Sequence, residues 1–196
     1  MDVQAAIAAV ANRNPRHDDH NKRIDLNGVD VRGADLANAQ LSRAYLADAD
    51  FTGSDLEGAD LSEADGTVAK FTAARMAGAD LTRGEFSGAN SYQADLENAD
   101  LVGTRLHTAV FSRAGLDAAD FTSSSLISAE FEGAYLHATD FTSSNLSNAL
   151  LTGVDLRLSV LRNTNYWCAR TDNRTMFPPG LQRRPPPVST ASCGPS

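Results

Sequence analysis

The chain has 196 residues, 42% of them apolar and only 7% aromatic, with a formal net charge of −8. That is enough for one domain with a thin core, and the acidic balance argues against a protein that binds nucleic acid directly. No apolar run is long enough to span a membrane and Met1-Asp2-Val3 does not begin a signal peptide, so a cytoplasmic location is expected.

Residues 1–23 read as an N-terminal capping helix and connector. Asp2 can serve as the helix N-cap, Val3, Ile7 and Val10 fall on one face, and Asn14-Pro15 ends the pattern. His17-Asp18-Asp19-His20 has metal-ligand chemistry, but adjacent residues of an irregular connector seldom converge on one ion. It is read as a polar link, and no metal or cofactor is expected.

From Ile24 to Tyr166 an apolar residue returns every five positions in one unbroken frame. Leu26, Val31, Leu36, Leu41, Leu46 and Phe51 begin the series, and Leu151, Leu156, Leu161 and Tyr166 close it. Only Gly66 and Ser91 interrupt it. A small residue stands two places earlier, often with Asp between, as in Ala59-Asp60-Leu61 and Ala99-Asp100-Leu101. A period of five is neither helical (3.6) nor that of a simple strand (2.0), so it specifies an architecture of its own. If each unit is one side of a square, four units make a coil of about 20 residues, with large and small side chains inside and coils ~4.8 Å apart.

The A-D-L-x-x units, 29 in succession, resemble the pentapeptide repeat proteins. That resemblance implies an all-β solenoid, a right-handed quadrilateral β-helix of about seven coils over residues 24–166. A short N-terminal capping helix, an irregular C-terminal cap at 167–181 and a disordered Pro/Ser-rich tail at 182–196 complete the expected organisation. The run Val3-Gln4-Ala5-Ala6, with Arg13 and Ile24-Asp25-Leu26, is similar to the opening of pentapeptide domains in actinobacterial proteins.

Taking every fourth unit separates four faces. The first carries Leu26, Leu46, Gly66, Phe86 and Leu106 inward, and the second Val31, Phe51, Phe71, Ser91, Phe111 and Phe131. An aromatic column broken at Ser91 is therefore expected on the second. Gly66 and Ser91 leave the middle of the core short of side chain, either as a local irregularity filled by neighbours or water, or as a kink. The third face carries Leu36, Leu56, Met76 and Leu96, and the fourth Leu41, Leu61, Leu81 and Leu101.

On the fourth face the residue preceding each core position is Asp60, Asp80, Asp100, Asp120 and Asp140 in consecutive coils. Aspartate can serve the repeat itself, by accepting local hydrogen bonds at each corner. A line of carboxylates ~4.8 Å apart can also imitate a nucleic-acid backbone and dock into a basic groove of a protein partner. Residues 24–166 hold 21 acidic and 9 basic side chains, whereas the flanks hold 4 and 8.

The resemblance extends to function. Some pentapeptide repeat proteins, the quinolone-resistance (Qnr-type) and mycobacterial kinds among them, resemble B-form DNA in size and charge. They bind DNA gyrase or topoisomerase IV and protect them from drugs. It implies an acidic DNA-mimicking rod with the five aspartates as partner-binding ladder. The alternative is a structural or adaptor rod with another protein partner and no topoisomerase activity. Members of those kinds dimerise through a C-terminal helix, and the Qnr type adds loops that break the frame. Here the frame is continuous, and Pro178-Pro179-Gly180 excludes a helix.

Leu150, Leu158 and Val160 stand at outward positions, and Trp167, Met176 and Phe177 follow them. This group reads either as a cap folded over the last coil or as a homodimer contact, so a monomer or a C-terminal homodimer is expected. Two cysteines, Cys168 and Cys193, do not suggest a disulfide framework. No nucleophile elbow, phosphate-binding loop or zinc motif is present, and a filled rod offers no dry cleft, so the protein is read as a non-enzyme.

Overall fold

A computed structural model of the chain describes residues 23–181. The capping helix, the His17–His20 connector and the 182–196 tail of the sequence reading lie outside the described residues. Among the described residues there is no helix.

The backbone winds in a four-sided coil. With exceptions near the C-terminal end, each residue before a core position makes a parallel bridge to the residue 20 places on. One column runs Asp25, Tyr45, Asp65, Glu85, Arg105, Ser125, Asn145, Asn165. A side of the square therefore holds a single bridged residue, too short to count as a strand. Its two flanking amides tie the coil in both directions. Asp60 N donates to Ala39 O at 2.9 Å, and Leu41 N donates to Asp60 O at 2.7 Å.

The corners explain the period. In nearly every unit the amide after the turn returns to the core residue's carbonyl, as Ala44 N does to Leu41 O at 3.0 Å. The third turn residue has positive φ, the signature of a type II turn. Glycine supplies it at Gly53 and Gly103, but Val68 (53°) and Thr108 (56°) adopt it too. A β-branched residue there is strained. The strain is accepted because the turn amide is already committed: Val68 N donates to Ser87 O at 2.9 Å. Of the corner positions from Gly28 to Cys168, Leu158 alone lacks a positive φ.

The interior is one column of side chains. Leu41, Leu46, Phe51, Leu56 and Leu61 are fully buried, as are the alanines between them. Phe51 stacks on Phe71 (5.1 Å between ring centres) and Phe111 on Phe131 (5.2 Å), on either side of the gap at Ser91. Phe121 and Phe141 stack at 5.2 Å on the fourth face and meet Phe131 edge-on. The gap at Ser91 leaves a void of about 10 Å³ among Phe71, Phe86 and Phe111. That is near the lower limit for one water, and an apolar lining disfavours it.

The coil continues past Tyr166. Leu150 bridges Arg170, and Asp155 bridges Met176, a step of 21 residues instead of 20. Asp172 takes up the extra residue. Its Oδ1 accepts the amides of Gly153 (2.9 Å), Arg174 (3.1 Å) and Thr175 (3.0 Å), and the Thr175 hydroxyl (3.0 Å). Cys168 is disulfide-bonded, whereas the two cysteines of the sequence did not suggest a disulfide framework.

Candidate protein-interaction surfaces

The five aspartates of the fourth face form a continuous column, bridged Asp60 to Asp80, Asp100, Asp120 and Asp140. Each uses one carboxylate oxygen in the same way. Oδ1 accepts the amide two residues on: Ser62 at 3.0 Å, Thr82 at 2.9 Å, Val102 at 3.0 Å, Thr122 at 2.8 Å and Thr142 at 2.7 Å. Asp55, Asp65 and Asp95 on other faces do the same, as do Asn90 and Asn145. This hydrogen bond is repeat chemistry. It closes the corner and is indifferent to whether the acceptor is charged.

The charge sets the fourth face apart. On the second face Arg32 pairs with Asp30 (2.6 Å) and Lys70 with Asp50 (3.7 Å). On the third, Arg75 joins Asp55 and Glu57, both at 2.7 Å. On the first, Arg105 pairs with Glu85. Among the described residues no cation is paired with any of the five aspartates of the fourth face. Asp100 is exposed, and Asp60, Asp80, Asp120 and Asp140 are half-buried. Where pairing occurs it is felt. The hydrogen bond from the Arg32 side chain holds the Asp30 carboxyl at a pKa of about 2.

The outward apolar residues gather toward the C-terminal end. Trp167 is 71% exposed, Leu158 64%, and Met176 and Val160 about two-fifths. Leu150 is half-buried within the ladder, between Glu130 and Arg170. Phe177 turns in and packs against the core together with Leu161 and Tyr166. Of the six residues singled out there, Phe177 packs on the core, while Trp167 stands away in solvent.

Sequence reasoning missed a second feature of this end. The bridge that should join Tyr135 to Asp155 on the third face is absent, though every neighbouring step is present. The coils separate there, opening a groove of about 750 Å³ lined by Tyr135, His137, Gly153, Leu158 and Pro179. Leu158 at a turn position was the signal available, since it replaces the small or polar residues used at most other corners.

His107 and His137 lie at different corners; Nε2 of His107 is 2.7 Å from the Ser125 hydroxyl. No group of three metal-binding side chains occurs among the described residues.

The family model for pentapeptide repeats matches in eight copies, over residues 24–63, 49–88, 74–113, 92–126, 119–157 and 139–165. Among solved structures, HetL, a pentapeptide repeat protein involved in heterocyst differentiation regulation from the cyanobacterium Nostoc sp. strain PCC 7120, is 26% identical. It aligns over 81% of each chain with a TM-score of 0.67. Rfr23 from the cyanobacterium Cyanothece 51142 is 35% identical over 50% of this chain and 63% of its own, with a TM-score of 0.34. QnrB1, a plasmid-mediated fluoroquinolone resistance protein, is 20% identical over 76% of this chain and 86% of its own, with a TM-score of 0.41. No curated protein matches the chain. With the five-residue frame, the four-sided coil and the repeat matches in agreement, the chain belongs to the pentapeptide repeat family.

Proposed function

We propose that this protein is a non-enzymatic interaction rod whose fourth face docks into a basic groove of a DNA-handling protein. A type II topoisomerase such as DNA gyrase is the first candidate. The observation that carries this reading is the ladder Asp60, Asp80, Asp100, Asp120, Asp140, which is continuous and lacks the ion pairs found on the other three faces. Five carboxylates in a row ~4.8 Å apart repel one another. The cost is reduced by water and salt, and falls further when a cationic surface covers them. The resemblance to the topoisomerase-binding members of the family supplies the choice of partner. The experiment is direct binding of the purified rod to gyrase over a range of salt concentrations. Affinity falling steeply with salt supports the ladder as the contact. Absence of binding at low salt removes gyrase as the partner.

A second reading is favoured by a different observation. Trp167, Leu158 and Met176 are each exposed near the C-terminal end, which suits an adaptor rod that meets another protein, or a second copy, through apolar side chains at that end. Contacts of that kind persist in high salt, so the same titration separates the two.

A further inference from the structure

The two ends of the aspartate ladder differ. Gln40 bridges Asp60 at one end, and Asp140 bridges Val160 at the other. Val160 is 39% exposed, and Leu158, at the corner between the third and fourth faces, is 64% exposed. The charged column therefore runs without a gap into apolar surface. Trp167 and Met176 do not share this continuity. Trp167 follows the first-face core residue Tyr166, and Met176 is bridged to Asp155 on the third face.

Leu158 also lines, together with Tyr135, the groove of about 750 Å³ that opens round that corner. Tyr135 (67% exposed) supplies an aromatic wall. The ionised groups inside are already engaged. Arg157 pairs with Asp155 at 2.7 Å, and Asp117 Oδ1 accepts the His137 amide at 2.9 Å. One backbone acceptor is open. The regular pattern calls for Leu136 N to donate to Asp155 O, and among the described residues no backbone amide reaches that carbonyl. Apolar walls with one open acceptor suit an aromatic side chain with a polar tip, such as the indole of tryptophan.

We propose that the ladder and this groove form one footprint, an inference that rests on the ladder's role as a partner-binding surface. The occupant is a basic segment of a partner protein that ends in an exposed tryptophan. Its lysines or arginines lie along the column from Asp60 to Asp140, and its indole passes Val160 and seats against Tyr135 and Leu158. Four steps of ~4.8 Å make a ladder of about 19 Å, the reach of six extended residues at ~3.3 Å each. Charge complementarity draws the partner in, and the groove gives it a fixed point. At the other end Gln40 offers neither a charge nor an apolar side chain. The partner is therefore held in one direction along the rod.

The test uses the full-length protein and two peptides with blocked termini, hexalysine and hexalysine extended by Gly-Gly-Trp, so it does not depend on which protein is the partner. Affinities are measured by calorimetric titration at low salt. Wild type should bind the tryptophan peptide at least ~10-fold more tightly than hexalysine, as one seated aromatic anchor supplies. A Tyr135→Ser/Leu158→Ser variant should keep the hexalysine affinity and lose the gain. Serine already stands at the equivalent positions Ser125 and Ser128, so this variant is compatible with the repeat. The Asp80→Asn/Asp100→Asn/Asp120→Asn variant should lose affinity for both peptides. Equal binding of the two peptides by wild type overturns the shared footprint and leaves the ladder standing. So does a gain that the double variant retains while shown folded by circular dichroism, since the indole then sits elsewhere, as on Trp167. Hexalysine that fails to bind, or that binds the Asn variant equally well, removes the ladder and the footprint with it, so the two failures are distinct.

Discussion

The ring of Phe86 occupies the space that a side chain at Gly66 would need. A methyl group built on Gly66 lies 2.4 Å from Cδ1 and Cε1 of Phe86, and one built on Gly84 lies 2.4 Å from Cε2. The ring is sandwiched between two glycines, one at a core position and one at a small-residue position. The missing core residue is thus the seat of the large residue one coil later.

This pairing predicts strong coupling. Gly66→Ala alone should cost about 1–3 kcal/mol by overpacking. Phe86→Leu alone should lose stability through the cavity it leaves. Together they nearly conserve volume, so the double variant should be more stable than the sum of the singles implies, by about 0.5–3 kcal/mol. Urea unfolding of the four proteins measures it, and strict additivity would show that the ring and the glycine do not share space.

The aspartate ladder has two roles that substitution can part. Asp80→Asn, Asp100→Asn and Asp120→Asn keep an acceptor for the amides of Thr82, Val102 and Thr122. Asparagine already does this at Asn90 and Asn145. The triple Asn variant should therefore melt near the wild-type temperature. The corresponding triple Ala variant loses those bonds, at about 0.5–1.5 kcal/mol each, and should melt lower. Thermal melts followed by circular dichroism decide it; equal loss in both variants would mean that charge, not the corner hydrogen bond, holds the turns.

Acid should open the C-terminal coil. Three backbone amides, Gly153 first, with the Arg174 side chain and the Thr175 hydroxyl, hold the Asp172 carboxyl well below the usual carboxylate range. A group with a depressed folded-state pKa contributes fully above its unfolded value, about 3.9. Its contribution is lost as pH falls through the folded value. Exchange protection of the Gly153 and Thr175 amides should thus hold from neutral pH to about pH 4 and decline in stronger acid. Asp172→Asn should flatten that dependence. Protection lost already near pH 6 would point to a different group.

Much of the fold was legible because its period admits one inward large residue per unit. Leu41, Phe51 and Leu56 could be placed inside, and the interrupted aromatic column assigned to one face, by counting alone. The break between Tyr135 and Asp155 was not legible, since it follows from how two coils stack at Leu158 and the extra residue near Asp172. Left-handed corners at Val68 and Thr108 were equally hidden, because the ladder imposes them on whatever residue stands there. The ladder of aspartates was visible as a sequence column. Its lack of ion pairs required knowing that Arg75 reaches both Asp55 and Glu57 and that Arg105 reaches Glu85.

The central claim is that the aspartate ladder of the fourth face, whose five carboxylates have no paired cation among the described residues, is a binding surface. The most direct test is gyrase supercoiling with and without a fluoroquinolone, titrated with wild-type protein and with the Asp80→Asn/Asp100→Asn/Asp120→Asn variant. The account predicts inhibition or protection by wild type that the equally folded variant loses. No effect of folded wild-type protein at micromolar concentration, or an effect that the variant retains in full, would contradict it.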